Sequence, residues 1–306
     1  MRIGITLGDP AGVGPETVLR ALQATRRSDV LLIGSAEVLM QEAERLKIEL
    51  GGIGLEDIGP VGSYRYGMVQ KSCGRAAWQA LEKGVELLKG GAIQALVTAP
   101  VSKEALRCAG FPFPGQTEFL AHRLGARRYA MLAWSPRFKV IFVTIHLPLK
   151  DVAPQITAPA VREKIVLLDE FLRQENRHRF FKCWRPRIGV LAFNPHGREF
   201  SGGEEGRIER GVKAARRNGV LASGPFPADA IFAHLDDFEG FVAMYHDQAM
   251  IPAKVLSRGR GVNVTLGLGK IRTSPLHGVA FDIAGQSVAS FSSTLAAIRL
   301  ARRLAR

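Results

Sequence analysis

Short apolar runs alternate with amphipathic segments along the amino-terminal third of the chain. Residues 2–7, 30–34 and 93–97 are apolar runs of strand length, typical of strands buried on both faces of a parallel sheet. Residues 17–22 and 75–88 carry apolar residues at helical spacing. The resulting order βαβαβ predicts a doubly wound parallel sheet, and therefore the α/β fold class.

The same alternation continues after a rigid run at residues 111–115 (FPFPG), which marks a candidate crossing between domains. Further strands are predicted at residues 129–134, 139–145, 187–192 and 240–244, and further helices from residue 116 and at residues 159–172, 208–216 and 293–304. We expect two lobes, formed by residues 1–120 plus 255–306 and by residues 121–254.

The composition is that of a globular protein. The chain has 306 residues, of which 46% are apolar, and contains no low-complexity tract. Its cysteines, Cys73, Cys108 and Cys183, lie far apart and form no zinc-ribbon or redox pair, so a reduced, cytoplasmic setting is expected. Asp9 comes too early for a secretory signal, and no apolar run approaches about twenty residues, so no membrane association is expected.

The formal net charge of +14 raises the question of nucleic-acid binding. Basic residues are concentrated at 173–187, 207–217 and 299–306, but these clusters fall on separate predicted elements and no nucleic-acid-binding motif accompanies them. A solvated basic surface is the favoured interpretation. Such a surface would attract small phosphorylated, anionic metabolites.

A glycine-rich turn at residues 8–16 (GDPAGVGPE) joins the first predicted strand to the first predicted helix. A turn of this kind lets backbone N–H groups approach an anion near the positive end of the helix dipole. Prolines interrupt it, and its spacing differs from the Gly-x-Gly-x-x-Gly fingerprint, so a standard Rossmann site is not expected. A purely structural turn is the alternative.

Three of the seven histidines, His146, His196 and His246, directly follow predicted strands. They lie fifty residues apart, so only the fold can bring them together. Imidazole is the commonest protein ligand for a divalent metal, and three protein ligands with an open position are typical of a catalytic site. Three unrelated turn histidines are the alternative. Of the others, His122, His178 and His234 are expected at the surface, and His277 in a loop near a ligand.

Polar side chains are dense around residues 245–248 (YHDQ). Lys254, Asn263 and Arg272 follow at intervals of nine residues. A point charge, an amide and a planar guanidinium together suit a phosphate monoester, although each residue alone is more typical of an ordinary polar surface.

Six motifs closely resemble those of the 4-hydroxythreonine-4-phosphate dehydrogenases of pyridoxal 5'-phosphate biosynthesis. They are residues 8–16 (GDPAGVGPE), 117–120 (TEFL), 146–152 (HLPLKDV), 194–196 (NPH), 245–248 (YHDQ) and 261–267 (GVNVTLG). The resemblance covers nearly the whole chain, from Ile3 to about Ala301. It implies two α/β/α lobes with a cleft between them, like isocitrate and isopropylmalate dehydrogenases, and a homodimer whose active site is shared between the subunits.

The resemblance also implies roles for individual residues. The divalent metal, which we expect to be zinc, cobalt or magnesium, would be bound by His146, His196 and His246, one of them reaching across from the partner subunit. The implied substrate contacts are Gln116, Thr117, Lys254, Asn263 and Arg272. The implied NAD contacts are Gly12, Gly14, His277, Gly278 and Asp282, where the Asp282 carboxylate would favour NAD over NADP.

The implied reaction is NAD-dependent oxidation of 4-phosphooxy-L-threonine at C3. The resulting β-keto acid loses CO2 to give 3-amino-2-oxopropyl phosphate. The metal would lower the pKa of the C3 hydroxyl. Lys103 and Asp247 are the candidates for moving protons.

One departure from the family pattern affects substrate choice. Gln116 stands where the family usually has a histidine; it can hydrogen-bond a substrate but cannot carry a proton. A decarboxylating dehydrogenase of another phosphorylated four-carbon acid, threonate or erythronate 4-phosphate, is therefore the alternative. A basic nucleic-acid-binding protein on the same fold is a less favoured one.

Overall fold

The computed structural model describes residues 1–177 and 184–306, so His178 and Cys183 lie outside the described residues. The chain divides into two compact units, Met1–Tyr129 with Gly259–Arg306, and Ala130–Arg258. The sequence had placed these boundaries after residues 120 and 254. Each unit contains both strands and helices, in agreement with the predicted α/β class. Within the described ranges, no helix is both long enough and apolar enough to cross a membrane.

The elements are numbered in chain order. The first unit begins with β1 (Ile3–Thr6), α1 (Gly14–Gln23), β2 (Val30–Gly34), α2 (Ala36–Leu46), β3 (Gly54–Asp57), α3 (Lys71–Lys89), β4 (Ala95–Thr98), α4 (Lys103–Cys108) and α5 (Gln116–Leu124). The second unit contains β5 (Ala130–Trp134), β6 (Lys139–Phe142), α6 (Val152–Gln155), α7 (Ala158–Glu175), β7 (Arg187–Leu191), α8 (Glu204–Arg217), β8 (Leu221–Phe226), α9 (Ala228–Ile231), β9 (Gly240–Ala243) and α10 (His246–Ser257), with short 3-10 helices at Leu149–Asp151, Gly197–Phe200 and Phe232–Asp237. The first unit is completed by β10 (Val262–Leu266), β11 (Ile271–Pro275) and α11 (Ser292–Ala305).

The carboxyl ends of β1, β4 and β11 lie at one edge of the sheet in the first unit. The strand order is β3-β2-β1-β4-β11-β10, parallel throughout except that β10 runs antiparallel to β11. Thr6 pairs with Thr98, and Val97 pairs with Thr273. The segments that follow these three strands therefore emerge together, at the edge where open α/β sheets bind ligands.

Apolar burial explains why these segments form the first unit. All residues of β1 and β2 are buried, as their unbroken apolar sequences predict. Helix α3 buries a stripe that includes Ala77, Leu81 and Val85 at helical spacing, and Phe119 of α5 packs in the same cluster. The start of α5 is thus held firmly against the unit's interior.

The second unit repeats the arrangement at another sheet edge. Its strand order is β5-β6-β9-β7-β8, in which β6, β9, β7 and β8 are parallel and β5 is antiparallel to β6. Phe142 pairs with Ala243, and Val190 pairs with Val242. The segments that carry His146, His196 and His246 therefore leave three neighbouring strands on the same side.

Helix α10 begins at His246, where the sequence analysis predicted no helix. Pro252 lies inside this helix, and proline usually interrupts helices, so the local pattern gives little sign of it. Strand β6 ends at Phe142, three residues before the predicted end. Val143 and Thr144 still donate hydrogen bonds to the Ala243 and Met244 carbonyls, at 2.8 and 3.1 Å. Strands β3, β8, β10 and β11 were not predicted. Several glycines between residues 259 and 269 interrupt the pattern around β10 and just before β11.

Asp9 is fully buried in the turn that follows β1. Its Oδ1 accepts a hydrogen bond from the Ala11 backbone N–H at 2.9 Å, whereas Oδ2 has no partner. Burial raises the pKa of Asp9 to about 6, against the lowering effect of the Ala11 and Ser102 backbone groups. The folded state therefore favours the protonated carboxyl, and the stability that Asp9 contributes at low pH is lost as the pH rises from its unfolded value of 3.8 through its folded value of about 6.

Asp9→Asn is expected to raise the thermal unfolding midpoint at neutral pH. The amide keeps an oxygen for the Ala11 N–H and removes a buried charge that costs about 3 kcal/mol, the equivalent of a shift of about two pKa units. The gain should shrink on acidification, as the wild-type carboxyl becomes protonated. Thermal unfolding followed at several values between about pH 4 and about pH 8 measures both effects.

Asp282→Asn, at an exposed position of the same unit, is the matched control and should leave the midpoint nearly unchanged across that range. A gain from Asp9→Asn of the same size at both ends of the range would show that the buried charge is not its cause.

Candidate functional site

The imidazole rings of His146 and His246 lie next to each other, with ring centroids 5.7 Å apart. His246 Nδ1 is 2.8 Å from Asp247 Oδ1, and its side chain is 36% exposed. A ring that donates its Nδ1–H to a carboxylate keeps Nε2 as an unprotonated donor for a metal. The Asp247 carboxylate thus orients His246, which is a different task from the proton transfer proposed for it from the sequence.

His196 follows β7 and caps the short 3-10 helix Gly197–Phe200. Its backbone is in the left-handed region, with φ of 54°, and its ring lies 5.9 Å from that of Phe200. Over residues 1–177 and 184–306, no group of three His, Cys, Asp or Glu side chains is placed to hold a metal. One chain brings together two of the three predicted ligands, and the expectation that a partner subunit completes the set stays a prediction.

The donor set suits a divalent transition metal, since imidazoles are its preferred nitrogen ligands and His246 has its other nitrogen occupied. His146 and His246 are the residues of one chain that fit such an ion together.

Arg272 is a buried cation in the first unit, only 3% exposed. Its Nε and Nη2 donate to Thr98 Oγ1 at 3.1 and 2.7 Å, and its Nη1 donates to Thr265 Oγ1 at 2.9 Å. Nη2 also donates to Gln116 Oε1 at 3.2 Å. All four bonds go to neutral oxygens, so one of the five guanidinium N–H groups remains. Burial lowers the pKa of Arg272 to about 10, so the side chain is still charged at neutral pH.

The start of α5 lies beside this guanidinium. Gln116 is its first residue, and its Nε2 donates to the Ala99 carbonyl at 3.3 Å. A methyl group on Gly115 would lie 3.9 Å from Lys103 Nζ and 3.1 Å from Glu118 Oε2. Gly115 provides no side-chain cap, so the helix N–H groups, Lys103 and Arg272 together form a region that favours an anion.

Asn263 projects from the same face of the sheet as Arg272. It pairs with Ser274 across the antiparallel β10–β11 ladder, and Ser274 is two residues from Arg272 on β11. The Asn263 Oδ1 atom is buried and has no partner. Thr117, the second residue of α5, is half-buried, whereas Lys254 is exposed on α10 and belongs to the second unit.

The glycine turn after β1 is buried, and two of its backbone N–H groups donate hydrogen bonds within the protein. Gly12 N–H donates to the Asp9 carbonyl at 3.1 Å, and Val13 N–H donates to the Val279 carbonyl at 2.9 Å. A methyl group on Gly12 would lie 3.0 Å from that carbonyl, and one on Gly14 would lie 2.4 Å from the Leu7 carbonyl. Both glycines are therefore needed for close backbone packing, and direct contact with NAD stays a prediction.

The loop that follows β11 carries the other predicted NAD residues. Asp282 and Gly278 are exposed, and His277 Nδ1 is 3.0 Å from the Gly278 carbonyl, with Nε2 buried and unpartnered. The loop is anchored by Arg45, which donates to the Gly285 carbonyl at 2.8 Å, and by Glu16, which accepts from the Ala289 N–H at 3.0 Å.

Arg45 and Glu16 belong to a larger ionic network. Arg45 is 3.2 Å from Glu16 and also pairs with Glu42, which accepts from the Tyr66 hydroxyl at 2.8 Å. The side chains that anchor the loop after β11 therefore form ion pairs with one another inside the first unit.

Sequence reasoning missed Thr98 and Thr265, the hydroxyl groups that hold Arg272. Threonine is common in strands, so neither residue stands out from its neighbours.

Comparison with known proteins gives a consistent result. A family model described as "Pyridoxal phosphate biosynthetic protein PdxA" matches residues 13–301. The 4-hydroxythreonine-4-phosphate dehydrogenase of Sulfurihydrogenibium sp. (strain YO3AOP1) is 35% identical over 100% of this chain and 99% of that protein. The D-threonate 4-phosphate dehydrogenase of Cupriavidus necator is 38% identical over 99% of this chain and 97% of that protein.

Solved structures agree with the fold. The structure of 4-hydroxythreonine-4-phosphate dehydrogenase from Klebsiella pneumoniae aligns with a TM-score of 0.87 at 34% identity, covering 100% of this chain and 99% of that one. A β-decarboxylating dehydrogenase from Thermococcus kodakarensis aligns with a TM-score of 0.51 at 15% identity, covering 99% and 83%, and so shares the fold. The chain belongs to the PdxA family of pyridoxal phosphate biosynthetic proteins, and it is a dehydrogenase of that family.

Proposed function

We propose that this dehydrogenase oxidises 4-phosphooxy-L-threonine at C3 with NAD, and that the product loses CO2 to give 3-amino-2-oxopropyl phosphate. The observation that carries the proposal is the buried guanidinium of Arg272, which forms four hydrogen bonds and no ion pair with the described residues. The Glu118 carboxylate is close enough to raise the pKa of Arg272 somewhat, but it forms no ion pair with it, and a buried charge without a direct ion-pair partner favours binding of an anionic ligand. A phosphate monoester is an anion that guanidinium groups bind well.

The surrounding groups extend this anion site. Helix α5 begins with Gln116 and Thr117, and the backbone N–H groups of its first turn favour an anion there. Lys103 adds a positive charge near Gly115. We propose that the phosphate is bound by Arg272, Asn263, Gln116 and Thr117. Lys254, on α10, is proposed as a further positive charge for the phosphate. We propose Lys103 as the group that exchanges a proton with the bound substrate.

The histidines support the oxidation step. A divalent cation bound by His146, His196 and His246 would lower the pKa of the C3 hydroxyl, and NAD would accept the hydride. In the chain itself, His246 Nδ1 is 2.8 Å from Asp247 Oδ1, and an Nδ1–H donated to that carboxylate would leave Nε2 to bind the metal. The exposed carboxylate of Asp282 is suited to a ribose hydroxyl and would repel a 2'-phosphate.

D-Threonate 4-phosphate is the second candidate substrate, and Gln116 is the observation that favours it. Its amide is held by Arg272 and Ala99, and it cannot exchange a proton as the usual histidine does. A relative similar to this chain is named for that substrate. Both candidates are phosphorylated four-carbon acids and would use the same phosphate site.

Purified protein is expected to generate the absorbance of reduced nicotinamide when given NAD, a divalent metal and 4-phosphooxy-L-threonine. His246→Ala should abolish this absorbance change, because it removes one metal ligand. Parallel assays with D-threonate 4-phosphate and D-erythronate 4-phosphate measure which acid has the highest kcat/KM. His122→Ala, at an exposed histidine of α5, is the matched control and should keep full activity.

Turnover of D-threonate 4-phosphate alone would select the second candidate. No turnover of any of the three acids would contradict the proposed reaction.

Gln116→Glu is expected to raise KM for the phosphorylated substrate about tenfold to a hundredfold, with a smaller effect on kcat. The new carboxylate would lie about 3 Å from Arg272 Nη2 and compete with the phosphate for the guanidinium, a penalty of about 1.4 kcal/mol for each factor of ten. Steady-state kinetics measure the split, and Glu104→Gln, an exposed position on α4, is the control. An unchanged KM would place the phosphate away from Arg272.

We also propose that the protein is a homodimer. Helix α10 exposes Ile251 and Val255, at 64% and 69%, and these residues are one helical turn apart. Exposed apolar side chains adjacent on one face are typical of an interface. In such a dimer the partner subunit would supply one histidine of the metal site.

Replacing both Ile251 and Val255 by Glu is expected to convert the dimer to a monomer in size-exclusion chromatography with light scattering. The added charges would have to be buried at the interface. Val288→Glu is the control, since Val288 is 62% exposed in the first unit. A mutant that retains the dimer mass would place the interface elsewhere.

A further inference from the structure

Gln248 bridges the ends of two strands that lead to histidines. Its Oε1 accepts a hydrogen bond from the Met244 backbone N–H at 2.8 Å, and its Nε2 donates to the Ala192 carbonyl at 2.7 Å. Met244 directly follows β9, which leads to His246. Ala192 directly follows β7, which leads to His196. One amide therefore sets the separation between two of the three histidine-bearing segments.

Glu205 holds the segment before His196 from the other side. It is fully buried near the start of α8, and its Oε1 accepts from the backbone N–H groups of Phe193 and Asn194 at 3.1 and 2.8 Å. The Asn194 side-chain amide donates to both carboxylate oxygens, at 3.2 and 3.1 Å. Burial opposes ionisation, but hydrogen bonds from Ser201 and Asn194 outweigh it and lower the pKa of the Glu205 carboxyl.

Thr144 supplies the third tie. Its Oγ1 and its backbone N–H both donate to the Met244 carbonyl, at 2.8 and 3.1 Å. Thr144 lies two residues before His146, and Met244 lies two residues before His246. The two segments whose rings are 5.7 Å apart are thus joined through one carbonyl.

We propose that Gln248, Glu205 and Thr144 are positioning residues of the metal site, which hold the histidine-bearing segments of each chain in place before a cation binds. This inference rests on the proposed metal-dependent function. None of their hydrogen bonds goes to an imidazole, and each holds backbone at the point where a strand gives way to a histidine-bearing segment. Removing a group that hydrogen-bonds directly to a metal ligand typically changes metal affinity by about tenfold to a hundredfold, and we expect an effect of that order from these bonds to the histidine-bearing backbone.

The arrangement explains why three different side chains are used. Gln248 must accept from one backbone and donate to another, which an amide does and a carboxylate does not. Glu205 must accept three N–H groups inside the protein, which suits an ionised carboxylate. Thr144 needs only one hydroxyl donor on a β-branched side chain that fits an extended segment.

The test is the affinity and the visible absorption spectrum of Co²⁺ bound to the full-length protein. Gln248→Met removes both hydrogen bonds of the side-chain amide at similar volume. Glu205→Gln replaces one acceptor oxygen by an NH2 donor, and Thr144→Val removes the hydroxyl. Each is expected to weaken Co²⁺ binding about tenfold to a hundredfold and to alter the absorption bands, whereas Glu205→Asp should recover part of the affinity.

Glu204→Gln is the matched control, because Glu204 neighbours Glu205 but bonds only to the side chains of Asn194 and Arg207. It should bind Co²⁺ as the wild type does. Thermal unfolding of the metal-free variants, measured alongside, separates lost affinity from lost folding, and Thr144→Val, the mildest of the three changes, is the variant expected to stay folded.

Wild-type affinity and spectrum in the folded variants would overturn the inference and leave the proposed function intact. An equal loss in Glu204→Gln would also overturn it, because the effect would then be general to the helix start. Absence of Co²⁺ binding by the wild type would instead refute the proposed metal site, and the positioning roles with it.

Discussion

The desolvated charge of Arg272 is the interaction on which the candidate site of the first unit depends. A guanidinium in the interior requires polar partners, and here they come from three elements: Thr98 at the end of β4, Thr265 on β10 and Gln116 at the start of α5. Meeting that requirement with neutral oxygens keeps the positive charge available to an anion. The end of β4, strand β10 and the first residue of α5 therefore all meet at this one side chain.

In the second unit the candidate site is formed by imidazole rings instead of a buried arginine. Parallel pairing of β6, β9 and β7 delivers three histidine-bearing segments to one sheet edge. Side-chain ties then hold the segments where backbone pairing stops. Both units therefore use the same rule, in which regular strands bring distant residues close and a few buried polar side chains fix the final positions.

The contrast between regular strands and buried polar side chains explains what could be predicted from the sequence. Strong apolar runs reveal β1, β2, β4 and β9, and parallel pairing makes the placement of His146, His196 and His246 at strand ends a direct consequence. Glu205 could not be recognised, because a glutamate followed by Gly206 and Arg207 has the pattern of a solvated helix face. Its burial depends on where α8 packs, and helix α10 was likewise hidden by Pro252.

The bond between Thr98 and Arg272 joins residues 174 positions apart, across a complete second unit that is continuous in sequence. During synthesis, residues 130–258 leave the ribosome as one uninterrupted piece, whereas β10, β11 and α11 of the first unit are made only after that piece. Because domains fold as units, the histidine-bearing unit is able to form while the first unit still lacks strands β10 and β11. Arg272 is thus able to reach its place only after the second unit has been made, and the Thr98 and Gln116 oxygens that bind it must remain solvated until then.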